Sequence, residues 1–209
     1  MASESEIYWR NLSTKIKNPV ETKNKRPDTT DLEIDFLEKY IETNDDILDI
    51  GSGSGLIINK LIDFDVSITA VEKFEGFTRF IIDHPKMTVI NSDLIGFKIR
   101  KKFDLALCFG VSQCFIKNEM KDIYKNIYSM LKVGGYFIVR MQCGIEKTKV
   151  VNGFSEELQT NYFAEYRQWG EEIDLLKEIG FNSIERFDIF PDTLNVWPDS
   201  RHYIFVCKK

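Results

Sequence analysis

Three glycines at alternate positions, Gly51, Gly53 and Gly55, follow Asp49 in the stretch Ile-Leu-Asp-Ile-Gly-Ser-Gly-Ser-Gly from 47 to 55. Glycines so spaced let a backbone take positive φ and come close to a ligand, which is the chemistry of a nucleotide-binding turn. Asp49 bears on which nucleotide. A carboxylate beside a pyrophosphate is repelled, whereas one beside an ammonium group is attracted, so a zwitterionic ligand suits the turn better than a diphosphate. The dinucleotide spacing G-x-G-x-x-G would also need glycine at position 56, which is Leu56. Two more acids recur downstream, Glu72 and Asp93, each closing an apolar run. A carboxylate after the second strand of such a unit can accept both ribose hydroxyl hydrogens.

The elements that must position these groups alternate along the chain. Asp46 to Ile50 reads as a buried strand, Leu56 to Ile62 as a helix whose free N–H groups face the turn, and Val66 to Val71, Met87 to Ile90, Phe103 to Phe109 and Tyr136 to Met141 as further strands. Before the first strand, Thr30 or Asp31 can cap a helix with Leu32, Ile34, Phe36, Leu37, Tyr40 and Ile41 on its apolar face. Asn118 to Leu131 and Glu171 to Ile179 have the helical period, and Asn182 to Phe190 and Arg201 to Lys208 close the chain as a strand pair with no crossover helix. Strand and helix in alternation predict parallel strands covered on both faces.

With these residues in place the chain resembles the class I S-adenosylmethionine-dependent methyltransferases of the small-molecule type. Their first motif, an acid, a spacer and G-x-G-x-G, is matched by Asp49, Gly51, Gly53 and Gly55, and a second feature by the Leu-Lys-x-Gly-Gly turn at 131–135. The resemblance covers residues 31 to 141. It implies a three-layer α/β/α sandwich around a seven-stranded, mostly parallel sheet with an antiparallel last strand, in the order 3-2-1-4-5-7-6. It implies S-adenosylmethionine as cofactor and S-adenosylhomocysteine as product. The residues it assigns to the cofactor are Asp49, Gly51, Ser52, Gly53 and Gly55 in the turn, Glu72, Lys73 and Phe74 after the second strand, and Asp93 and Leu94 after the third. Asp93 would accept from the adenine amino group and Leu94 would donate its backbone N–H. Phe74 is a candidate face for the adenine ring and equally a candidate core residue. Phe109 and Gly110, at the end of the fourth strand, would face the sulfonium methyl.

The acceptor is less legible. Residues 1–30 form an expected cap, with Tyr8, Trp9 and Arg26 as lid candidates, although Tyr8 and Trp9 read equally well as anchors to the core. Residues 31–209 form the single Rossmann-like domain, and the irregular stretch 142–169 is the expected acceptor-binding insertion. Trp9, Arg26, Arg140, Tyr166 and Arg167 are the candidate acceptor contacts, since arginine forks grip carboxylate or phosphate at two points. No general base is obligatory for transfer from a sulfonium; the weak candidates are Tyr8, Tyr162, Tyr166 and His202, the last read first as a surface or edge residue.

Several classes are disfavoured. The Asn/Asp-Pro-Pro-aromatic signature of base and glutamine methyltransferases is missing at 108–112, and carboxylates for magnesium are missing after the fourth and fifth strands. The four cysteines, Cys108, Cys114, Cys143 and Cys207, lack zinc-ligand spacing, so no metal is expected. A net charge of −5 argues against nucleic acid, and the basic run Lys15, Lys17, Lys23, Lys25 and Arg26 lacks interleaved aromatics. No apolar run is long enough for a bilayer, and the expected setting is cytoplasmic, as a monomer or homodimer. Richness in Lys, Ile, Asn and Phe suggests an AT-rich bacterial genome.

The expected activity is methyl transfer to a small polar, possibly anionic acceptor, with oxygen favoured, such as a sugar or phosphorylated metabolite of a bacterial surface-polysaccharide or natural-product pathway. N-methylation of a small amine, a nicotinamide-dependent oxidoreductase, and a non-catalytic cofactor-binding partner subunit remain as alternatives.

Overall fold

The computed structural model describes residues 4–23, 26–156 and 158–209. Lys25 of the early basic run, and the first three residues of the expected cap, lie outside the described residues. The central sheet is built from β1 (Asp46–Ile50), β2 (Ser67–Glu72), β3 (Met87–Asn91), β4 (Phe103–Phe109), β5 (Leu131–Gly144), β8 (Ser183–Phe187) and β9 (Ser200–Lys208). A separate hairpin, β6 (Lys149–Ser155) and β7 (Thr160–Tyr166), falls between β5 and β8. The sheet order is β3-β2-β1-β4-β5-β9-β8. Apart from the two chain numbers taken by the hairpin, this is the expected arrangement, with β9 antiparallel to both β5 and β8.

Alternation along the strands divides the core between the two faces. Leu48, Ile50, Ala106, Cys108, Phe137 and Val139 pack one way, onto α5 (Lys117–Met130) and α6 (Trp169–Ile179). Ile47, Ile68, Leu105, Leu107, Ile138 and Ile204 pack the other way, onto α2 (Thr30–Leu37) and α3 (Ile58–Leu61). Strands buried on both faces read in sequence as near-continuous apolar runs, which is why the fourth was delimited correctly from its residues alone.

Three local readings need correction. The helix after the glycine turn starts at Ile58 and is only 4 residues long, because Leu56 and Ile57 remain in the turn, whose Gly55 amide bonds to Ser52 O at 2.9 Å. Ligand-facing donors therefore belong to the turn and not to a helix N-terminus. The fifth strand runs Leu131–Gly144, well past both expected ends. Within the stretch 142–169, irregular in sequence, β6 and β7 pair as a hairpin that bonds from Lys149↔Tyr166 to Ser155↔Thr160.

The first described helix, α1 (Glu4–Lys15), packs on β7 through a small apolar cluster of Tyr8, Tyr162 and Ala164, with Trp9, Leu12 and Tyr166 against it. On its other side it meets α4 (Glu75–Thr78) at a place where only glycine fits: a Cβ on Gly76 would lie 2.5 Å from Ser13 O.

Candidate functional site

The carboxyl ends of β1, β2, β3 and β4 open into one cavity of about 820 Å³, roofed by α1 on one side and the β6–β7 hairpin on the other. That size suits a cofactor-sized ligand. At its floor the glycine turn is tied to β2: the Gly51 and Ser52 amides both donate to Val71 O, at 2.8 and 3.1 Å. The positive φ values of Gly51, Gly53 and Gly55, from +52 to +77, explain the residue type. Two of the three have a further reason. A Cβ on Gly51 would stand 2.4 Å from Val111, and one on Gly55 2.8 Å from Ile81, whereas Gly53 faces open space.

Glu72 organises the turn. Its Oε2 accepts the Gly53 N–H at 3.0 Å and its Oε1 the Phe74 N–H at 2.9 Å. Each carboxylate oxygen has a second lone pair, so a vicinal diol can be held as well. Burial raises the Glu72 pKa, against the lowering effect of those backbone donors. Asp49 is 5% exposed and makes no hydrogen bond or ion pair among the described residues. Burial, then the nearby Glu72 charge, push its pKa up to about 7. Two buried acids side by side favour a cation between them.

These features fit S-adenosylmethionine: a cationic ligand for Asp49, a diol for Glu72, close backbone approach at Gly53, and a buried Ser52 Oγ that has no partner among the described residues. Lys73, Phe74, Asp93, Leu94, Phe109 and Gly110 also line the cavity. Of the expected cofactor residues Gly55 alone does not, being turned to Ile81 and Asn59. Asp93 is already engaged, by Lys73 Nζ at 2.7 Å and the Ile95 amide at 2.9 Å. Burial acts to raise its pKa, but Lys73 and the backbone donors hold it below the usual value. Lys73 bridges on to Glu6 of α1 at 3.0 Å, so α1 is fastened to the rim of this end.

The other end of the cavity is lined by Trp9, Arg26, Arg140, Tyr166 and His202, together with Tyr8 and Tyr162. Arg140 faces the buried Glu33 at 3.0 Å, and Arg26 Nη1 donates to Gln142 Oε1 at 3.3 Å. Trp9 Nε1 donates to Cys114 Sγ at 3.3 Å, while its ring meets Tyr8 and Phe77 edge-on, so it both lines the cavity and anchors α1. Tyr162 is poorly suited to accept a proton as tyrosinate: burial, then its neighbour Cys114, push its pKa well above the ordinary value.

Arg167 is a correction. Its side chain has no exposure and does not line the cavity. It donates to Glu172 at 2.6 Å and to the carbonyls of Ser112 and Phe115, at 3.3 and 3.2 Å, so its whole fork is spent inside the protein. His202 is the opposite case. Read as a surface or edge residue, it is 5% exposed and lies on the cavity wall. Sequence reasoning passed over Gln142, Ser200, Glu33 and Cys114 on that wall. One signal could have found Gln142: residues 140 and 142 alternate onto the same face of β5. Among the described residues, no group of three or more His, Cys, Asp or Glu could hold a metal ion, and no helix is long and apolar enough to cross a membrane.

Comparison with known proteins agrees with this geometry. Residues 48–137, from β1 into β5, match the family described as a methyltransferase domain. Motif, matched region and strand order agree with the resemblance to the class I S-adenosylmethionine-dependent methyltransferases. Among curated proteins it is 27% identical over 139 residues to ribosomal protein L11 methyltransferase of Caldicellulosiruptor saccharolyticus, a match over 63% of this chain and 43% of that one. The chain thus spans less than half of that relative. Among solved structures, Haemonchus contortus phosphoethanolamine N-methyltransferase 2, in complex with phosphomonomethylethanolamine and S-adenosylhomocysteine, superposes with a TM-score of 0.75 at 16% identity, over 100% of this chain and 60% of that one. An S-adenosylmethionine-dependent methyltransferase from Mesorhizobium loti superposes with a TM-score of 0.66 at 15% identity, over 85% and 97%. Likeness at such identity concerns the fold.

Proposed function

We propose that the chain transfers the methyl group of S-adenosylmethionine to a small, polar, anionic acceptor, with oxygen as the favoured target. The observation that carries this reading is the continuity of one cavity from the acids Asp49 and Glu72 to the guanidinium groups of Arg26 and Arg140. The sulfonium supplies an already activated methyl group, so the protein's task is alignment and exclusion of water. Glu72 and the Gly53 turn hold the nucleoside end, Asp49 the cationic end, and α1 with the hairpin covers both as a lid. The arginine end supplies two-point contacts for a carboxylate or phosphate.

The roof also bears on acceptor size. Ribosomal protein L11 methyltransferase is named for a protein substrate, but a cleft closed by Tyr8 against Tyr162, ring centroids 5.3 Å apart, favours a small molecule here. Methylation at nitrogen is the second reading. The phosphoethanolamine enzyme shares the fold and is named for an amine that also carries a phosphate, a pairing that the arginine end would suit equally.

Calorimetric titration of the purified chain with S-adenosylhomocysteine and NADH, beside Glu72→Ala, tests the cofactor. The expected result is micromolar binding of the adenosyl ligand and none of NADH, with affinity in the variant lower by about ten- to a hundredfold, as for one or two hydrogen bonds to a charged group. Binding of NADH, or of neither ligand, would overturn the reading.

A further inference from the structure

The tautomer of His202 is fixed by its neighbour. Asn195 lies in the segment between β8 and β9, and its Nδ2 donates to the carbonyls of Phe190 and Pro191, at 3.3 and 3.2 Å. Its Oδ1 is thereby turned to β9, where it accepts the His202 backbone N–H at 2.8 Å and stands 3.0 Å from His202 Nδ1. An amide oxygen only accepts, so Nδ1 carries the proton. A neutral imidazole has one N–H, which leaves Nε2 a bare lone pair. The imidazolium form is opposed by burial first, and then by Arg140, Arg26 and Arg201, which together push the pKa down to about 2. His202 lines the cavity, and with Nδ1 turned to Asn195 the ring nitrogen left for it is Nε2.

The sheet register sets this nitrogen among the acceptor contacts. Gln142 of β5 is paired with His202, and Arg26 reaches that same Gln142. Arg140, two residues earlier on the same face of β5, has its guanidinium 5.6 Å from the ring centre of Phe190, which in turn meets the His202 ring edge-on. One hydrogen-bond acceptor thus sits near two guanidinium groups, of which Arg140 is ion-paired through its Nε with the buried Glu33.

We propose that His202 Nε2 accepts the hydrogen of the methyl-accepting hydroxyl or amine, in an acceptor whose anionic group lies against Arg26 and Arg140. The proposal rests on the methyltransferase reading of this cavity and narrows its substrate class to anions that carry a donor close by. In the transfer a bond forms between the methyl carbon and the acceptor's oxygen or nitrogen while the methyl–sulfur bond breaks, its electron pair remaining on sulfur. The acceptor's proton passes to Nε2 and then to solvent. An anion against the two arginines offsets the charges that oppose the imidazolium, so His202 becomes a stronger base when such an acceptor is bound.

Two variants separate the cavity nitrogen from the structural one. His202→Asn keeps an N–H where Nδ1 stood, for Asn195, and removes Nε2; His202→Gln restores an acceptor atom near Nε2. The chain has only two histidines, His84 and His202, so a long-range imidazole nitrogen–proton spectrum of the full chain with S-adenosylhomocysteine is assigned by comparison with His202→Asn. The expected spectrum shows His202 as the Nδ1–H tautomer throughout the neutral range; the Nε2–H tautomer would overturn the proposal. Turnover is then measured with S-adenosylmethionine and millimolar glycerol 3-phosphate or phosphoethanolamine, one a hydroxyl and the other an amine beside a phosphate. The expected result is methylation of at least one probe, with kcat about a hundredfold lower in His202→Asn, partial recovery in His202→Gln, and unchanged affinity for S-adenosylhomocysteine. Equal turnover by wild type and His202→Asn would overturn the role of Nε2, and turnover of neither probe by the wild type would overturn the anionic class. Loss of S-adenosylhomocysteine binding by the wild type would instead overturn the methyltransferase reading itself.

Discussion

Arg167 Nε donates to Glu172 Oε2 at 2.6 Å, and neither side chain retains any solvent exposure. The opposite oxygen of Glu172 accepts the Tyr124 hydroxyl, also at 2.6 Å. This network joins the end of the hairpin to α6 and α5, and through Ser112 and Phe115 it holds the turn that places Cys114 under Trp9.

Removing one partner of such a pair strands a buried charge. Arg167→Met is therefore expected to lower stability by about 3–5 kcal/mol, and pairing it with Glu172→Gln to recover a large part of that loss. Urea unfolding of the two variants checks it. A variant with an unaltered unfolding midpoint and a raised KM would show that Arg167 meets the acceptor after all.

Affinity for the cofactor should depend on pH through Asp49. Its pKa lies raised, at about 7, and only the carboxylate form attracts a cation. Above that value the acid is already ionised and affinity is flat. Below it, binding must first displace a proton, so affinity for S-adenosylmethionine falls by about tenfold per unit of pH. Glu72, shifted in the same direction, steepens the acid side. Titrations between pH 5.5 and 8.5, in two buffers of different ionisation enthalpy, would also register proton release on the acid side. Asp49→Asn should bind more weakly at the alkaline end and lose most of the slope.

The seating of α1 is open to a single-atom test. Gly76→Ala places a methyl 2.5 Å from Ser13 O, a backbone atom that cannot swing aside, so α1 must lift from α4. Limited proteolysis is expected to cut within residues 4–15 faster than in the wild type, with weaker binding of S-adenosylhomocysteine, since Glu6, Lys73 and Asp93 form one chain of ion pairs at that rim. Unchanged cleavage and affinity would show that α1 is not needed to close the site.

The parallel strands, the glycine turn and the acids after β1, β2 and β3 were legible because each depends on neighbours in sequence: an apolar run, a residue type that permits positive φ, a carboxylate at a strand end. The rest depends on partners far along the chain. Val150 and Phe154 of the hairpin are exposed, and the inward Tyr162 and Ala164 find cover in α1, far away in sequence. Arg167 looked like a ligand for an anion because its acid, Glu172, lies beyond a helix start. His202 looked like an edge residue because the segment that carries Asn195, which bonds to it, has no periodic signal.

The antiparallel β9 gives the sheet mixed polarity at the place where it matters most. Parallel strands can offer the cleft only their final residues, so β1 to β4 each contribute the point at which the chain is about to turn away. Because β9 runs the other way, it brings its opening residues, Ser200 and His202, beside the far end of β5. Part of the wall opposite the nucleoside, Ser200 and His202, is consequently written in the last tenth of the chain and the floor in an earlier stretch. Substitutions near the C-terminus can redraw the wall without disturbing a glycine of the floor.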